Sequence, residues 1–110
     1  MIDAKIFFRD EKITGFKITG HANQAPKGYD IVCAAVSSIS QTALLGVGKY
    51  LEREIFFEQG SPEIGGLLEL KLKDAPDDLT DAILQTMLIG LEEVEKLYPE
   101  FVKISREEDL

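Results

Sequence analysis

Twice in this chain, two short stretches with apolar residues at every second position are followed by a longer stretch with apolar residues three and four apart. A period of two alternates side chains across a strand, and a period near 3.6 lines one face of a helix. The order therefore reads strand, strand, helix, strand, strand, helix. "MIDAKIFFRD" sets Ile2, Ala4, Ile6 and Phe8 on one face, and "ITGFKITG" sets Thr14, Phe16 and Ile18 on one face after a polar turn around Asp10, Glu11 and Lys12. Val32, Val36, Ile39, Ala43, Val47, Tyr50 and Leu51 form the stripe of a long first helix, with Asp30 at its N-cap. A second hairpin follows, from a strand near Glu54 through "GSPEIGG" to the alternating Leu68, Leu70 and Leu72. Asp77 or Asp78 caps a second helix with Leu79, Ile83, Met87, Leu91, Val94 and Leu97 or Tyr98 as its stripe, and Pro99 stops it. "FVKIS" is a short last strand and "REEDL" a frayed tail. The pattern predicts an α+β fold in one domain over residues 1–110: an antiparallel or mixed sheet with two helices packed on it.

Phe7 with Phe8, and Phe56 with Phe57, put bulky groups on both faces of their strands. The second sheet face is thus either covered within the chain or used to pair two copies, and a homodimer is expected. No apolar run approaches the roughly 18–20 residues of a membrane span, so no membrane partner is expected and the protein is placed in the cytoplasm. One cysteine excludes an internal disulfide, and one cysteine with one histidine cannot supply the usual ligands of a structural zinc. No metal is expected. The net charge of −8 argues against direct nucleic-acid binding, which needs clustered Lys and Arg. Residues 1–51 hold six basic and four acidic side chains, whereas residues 52–110 hold six basic and 16 acidic. Such an acidic flank suits a basic protein partner, although acidic excess of this size also serves solubility alone.

The only histidine and the only cysteine, His21 and Cys33, fall in "GHANQAPKGYDIVCAAVSS". Gly20, Asn23, Pro26 and Gly28 make the stretch after His21 a loop. With Asp30 as N-cap, Cys33 occupies the first helical turn, where unpaired N–H groups and the helix dipole favour a thiolate. The amides of Cys33 and Ala34 are then free to hold an oxyanion, and the loop is long enough to bring His21 back as a base. Asp30 orients the imidazole or merely caps the helix. Ser37 positions substrate or is ordinary helix-edge polarity, and with Cys33 and Ser40 it forms an edge bordering the core. A lone cysteine is most often a small buried hydrophobe and a lone histidine a surface residue, so these residue types alone do not establish catalysis.

The motif narrows this choice. Gly20, His21 and Ala22, a variable loop, then Gly28 and "DIVCAAVS" from Asp30 to Ser37 resemble the signature of the ribosomal-processing cysteine protease family, Prp. Length, element order and the late "YPEFVKI" resemble that family too. The resemblance implies a cytoplasmic homodimeric endopeptidase that removes a short N-terminal extension from a large-subunit ribosomal protein of the L twenty-seven type, cutting after an aromatic pair. It implies His21 as general base and Cys33 as nucleophile; Gly20, Asp30, Ala34 and Ser37 are candidates to support that dyad or position substrate, and a dyad needs no cofactor. The loop "NQAPKGY" is the least family-like part.

Two rival readings remain at this level. A non-catalytic ribosome-assembly module binding a basic ribosomal protein needs no reactive thiol. A hydrolase of small thioesters shares the dyad but needs a closed pocket, where a protease needs an open groove.

Overall fold

In the computed structural model, residues 1–20, 28–60 and 66–109 are described. The elements run β1 (Ile2–Arg9), β2 (Lys12–Thr19), α1 (Tyr29–Leu45), a π-helical turn (Gly46–Tyr50), β3 (Ile55–Gln59), β4 (Leu67–Leu72), α2 (Asp78–Leu97) and β5 (Val102–Glu108). The five strands form one sheet in the order β3-β4-β2-β1-β5. Every pairing is antiparallel except β1 with β5, which is parallel, so the sheet is mixed. Two helices pack on it, as the periodicity predicts.

One sheet face and the inner sides of the helices enclose the core. Ile2, Ala4, Ile6, Phe16, Ile18, Leu70 and Val102 from the strands meet Val32, Val36, Val47, Leu84, Leu88 and Leu91 from the helices, all buried. The opposite face is mainly charged: Lys5 pairs with Lys17, Lys17 with Glu69, and Glu69 with Glu58 across adjacent strands. That ladder explains the period-two pattern, with polar groups outward on an antiparallel sheet.

Several local expectations are corrected. A bulge sits in the first hairpin, where Phe7 pairs with Gly15 but Phe8 with Ile13, leaving Thr14 as the extra residue. Ile13, not Thr14, therefore continues the inward stripe of Phe16 and Ile18. The two-residue turn has positive φ at Asp10 (50°) and Glu11 (71°), the hand that suits a tight hairpin.

In α1 the N-cap is Gly28, with φ of 94°, and no side chain caps the helix. Asp30 is instead the second helical residue. A left-handed cap is easy for glycine, and it starts the helix two residues before the aspartate. At the far end the chain widens into the π-helical turn, which shifts the phase of the stripe and leaves Tyr50 82% exposed. Tyr29–Tyr50 also holds an 18-residue stretch of mean hydropathy 1.6, enough in length and composition to cross a membrane. The sequence reading saw no such run because serines and glycines interrupt it, yet no charge falls between Asp30 and Lys49. Here one side of that helix packs on the sheet.

Asp77 caps α2, accepting hydrogen bonds from the amides of Leu79 and Thr80, while the Thr80 hydroxyl accepts from the Asp77 amide. The buried stripe is Thr80, Leu84, Met87, Leu88 and Leu91, and Leu79 and Leu97 are exposed. The last strand is longer than "FVKIS". It runs through Glu108, and the Asp109 amide donates to the Phe8 carbonyl at 2.8 Å.

Candidate active site

Near its N-terminal end, α1 forms one wall of a cleft of about 390 Å³, across from the ends of β2, β3 and β4. Cys33, Ala34, Ser37, Ser40 and Gln41 line it from the helix; Thr19 and Gly20 close one side, and Gln59, Gly60, Gly66 and Leu68 face them from the second hairpin. The floor is held where the Gly20 amide donates to the Gly66 carbonyl at 3.0 Å. A β-carbon on Gly20 would lie 3.3 Å from Ile2 Cγ1 and 3.4 Å from the Tyr29 hydroxyl, so a side chain there would crowd the cleft.

Cys33 is half-buried and free. It lies two residues further into the helix than expected. The first intrahelical bond runs from the Val32 amide to the Gly28 carbonyl, at 3.4 Å, and the helical ladder continues from there. The amides of Cys33 and Ala34 are therefore spent inside the helix and do not form an oxyanion hole; the amides that lack an intrahelical acceptor come earlier, at Asp30 and Ile31. The thiol is also pushed up from its ordinary value, where the helix-start position predicted a lowered one. Burial is the main cause, a hydrogen bond from the Tyr29 side chain opposes it, the Asp30 carboxylate adds to the rise, and the chain's amino terminus lowers it.

Tyr29 was missed by the sequence reading. It is buried one turn before Cys33, packs edge-to-face on Phe101 at 5.5 Å between ring centroids, and Phe101 stacks on Tyr98 at 6.4 Å. The available signal was an aromatic residue at the i−4 position of the cysteine, where side chains on a helix meet. Gln41 and Gln59 were missed as well.

Of the anticipated site residues, Gly20, Asp30, Cys33, Ala34 and Ser37 all line the one cleft. His21 lies outside the described residues. Ser40 departs from the anticipated polar edge: it is buried and its hydroxyl donates to the Val36 carbonyl at 2.7 Å. Among the described residues no three His, Cys, Asp or Glu side chains are grouped to hold a metal ion. Among the described residues the arrangement offers one partly exposed sulfur nucleophile in a cleft whose only charged liner is Asp30.

Comparison with known proteins gives this trough a context. The family model described as cysteine protease Prp matches residues 1–103. The chain is 34% identical to the ribosomal processing cysteine protease Prp of Staphylococcus aureus, covering 96% of this chain and 98% of that one. It is 28% identical to the corresponding Bacillus subtilis protein, over 87% and 88%. Among solved structures, that of a Streptococcus mutans protein superposes with a TM-score of 0.87 at 25% identity, covering 99% and 96%. The S. aureus Prp structure with a substrate peptide gives 0.78 at 28% identity, covering 96% and 99%. The S. aureus structure with a covalently linked product peptide gives 0.74 at 29%, again over 96% and 99%.

Proposed function

Because the chain belongs to the cysteine protease Prp family and is a ribosomal-processing cysteine protease by that membership, we propose that it removes an N-terminal extension from a large-subunit ribosomal protein of the L twenty-seven type. We propose Cys33 as the nucleophile and His21 as the general base and acid. The observation that carries this is the placement of the chain's only cysteine, half-buried, in the wall of the cleft.

A thiol raised by burial and by Asp30 is protonated near neutral pH unless a base takes its proton, and an imidazole does so at that pH. Proton transfer to His21 makes the sulfur a nucleophile toward the peptide carbonyl. The tetrahedral intermediate collapses to a thioester, and the imidazolium gives its proton to the leaving amine. Water then enters, gives a proton to His21 and adds to the thioester carbon; the C–S bond breaks, the N-terminal extension leaves as a carboxylic acid, and the imidazolium returns its proton to the Cys33 thiolate. Ser37, one turn beyond Cys33 in the same wall, positions the peptide.

The molecule works in the cytoplasm as a homodimer in this proposal. Supporting the pairing, Phe56 and Phe57 on the edge strand β3 are 47% and 57% exposed. Light scattering reads the mass directly, and a monomer at working concentration removes that part. For the reaction, purified protein is incubated with the host's L twenty-seven precursor beside Cys33→Ala, and the products are weighed by mass spectrometry. Two complementary fragments with the wild-type chain and none with Cys33→Ala are expected. Cleavage by Cys33→Ala overturns the nucleophile, and an intact precursor with the wild-type chain overturns the substrate.

A further inference from the structure

Cys33, Ser37 and Gln41 recur every four residues along α1, so they lie on one flank of the helix and all line the cleft. At a rise of about 1.5 Å per residue, Gln41 stands about 12 Å from Cys33 along the axis. An extended peptide covers that distance in about four residues. Gln59 of the second hairpin lines the same cleft; its pairing partner Leu68 is buried toward the helices and also lines the cleft, so Gln59 shares that face of the sheet. Both glutamines are exposed and neither makes a side-chain hydrogen bond among the described residues. Asp30 is the one charged liner among the described residues, and it sits at the Cys33 end. Past the cleft the helical segment packs tightly on β3, since a β-carbon on Gly48 would meet Ile55 Cδ1 at 3.1 Å.

We propose that Gln41 and Gln59 grip the main chain of the bound peptide about four residues from the scissile bond, and so set the minimum substrate length. The inference rests on the proteolytic reading of Cys33. A primary amide has both a donor and an acceptor, so one side chain satisfies both polar groups of a peptide unit whatever residue carries it. Two such amides across an apolar trough fix register without reading side chains. The uncharged surroundings also disfavour a charged residue in that stretch, because a lysine or glutamate there loses water without gaining a partner.

The test uses nested synthetic peptides from the L twenty-seven precursor, shortened one residue at a time on each side of the cleaved bond. kcat and KM are measured for the wild-type chain, Gln41→Ala and Gln59→Ala. Each variant is expected to raise KM about 3- to 10-fold on long peptides with kcat within about twofold, as for the loss of one or two neutral hydrogen bonds. On one side of the bond, that penalty disappears once fewer than about four residues remain. An equal penalty at every length, or none at any length, overturns the grip while cleavage itself persists. A wild-type chain that cleaves none of these peptides overturns the L twenty-seven substrate on which the grip is argued, and the grip falls with it.

Discussion

The environment of Cys33 makes an opposite demand from the one its position near a helix start suggests. Burial and the neighbouring Asp30 carboxylate hold its thiol above the ordinary value, so a protonated sulfur is the resting form among the described groups. Asp30→Asn removes one of the raising charges. The rate of thiol alkylation plotted against pH is therefore expected to shift to lower pH in that variant, measured by mass spectrometry; an unchanged or higher midpoint contradicts the assignment. The stability consequence follows from the same sign. A thiol pKa raised by folding contributes stability that is complete below the unfolded value and is lost as pH rises through the folded value. Asp30 itself does not cap the helix, since Gly28 does. Its loss costs about 0.3–1 kcal/mol, as for an acid removed from an exposed first turn.

Between neighbouring strands, one glycine controls a close approach. A β-carbon on Gly15 would stand 2.3 Å from the Leu70 carbonyl oxygen and 3.3 Å from Lys71 Cα, both backbone atoms that cannot step aside. Gly15→Ala is expected to destabilise the protein by about 1–3 kcal/mol, with urea unfolding as the measurement, because β2 must move off β4. The same hairpin is tied to α2, where Asp81 Oδ1 accepts from the Ile13 amide beside the bulge at 2.9 Å. The start of α2 depends on Asp77, whose carboxyl is held below the usual range by the Thr80 amide first, then by Arg53, with burial opposing and Leu79 assisting. Its stabilisation is present above the unfolded carboxylate value and is lost as pH falls through the depressed folded value. Asp77→Ala is expected to lower the melting temperature near neutral pH and to narrow its gap from wild type in acid. A gap that stays constant down to low pH contradicts the carboxylate's role.

Charge is distributed over the fold so that the cleft and the long-range field act separately. The cleft wall is nearly uncharged, yet the chain carries a net charge of −8, with the acidic excess confined to residues 52–110. A substrate with a basic tail is drawn by this field and then held by neutral groups. Added salt is therefore expected to reduce kcat/KM for such a substrate severalfold while leaving kcat nearly constant, since screening acts on encounter more than on the bound state. A salt-independent kcat/KM, read from initial rates at two ionic strengths, contradicts steering.

Strand and helix order was legible because the period of apolar residues is a local property, set by which side of each element faces the core. The family motif around the cysteine was legible because it is contiguous in the chain. Helix phase was harder to read. Leu79 fits a 3.6-residue stripe as well as Leu84 does, and only packing against the sheet decided that Leu84 is buried and Leu79 is not. The bulge at Thr14 was hidden because a single extra residue shifts the register of one strand against its partner, which neither strand shows alone. Tertiary structure likewise brought Gln59 of the second hairpin into the same cleft as Gln41 of α1. It also set the thiol's acidity, since desolvation depends on which distant segments cover a side chain, and no local spacing records that.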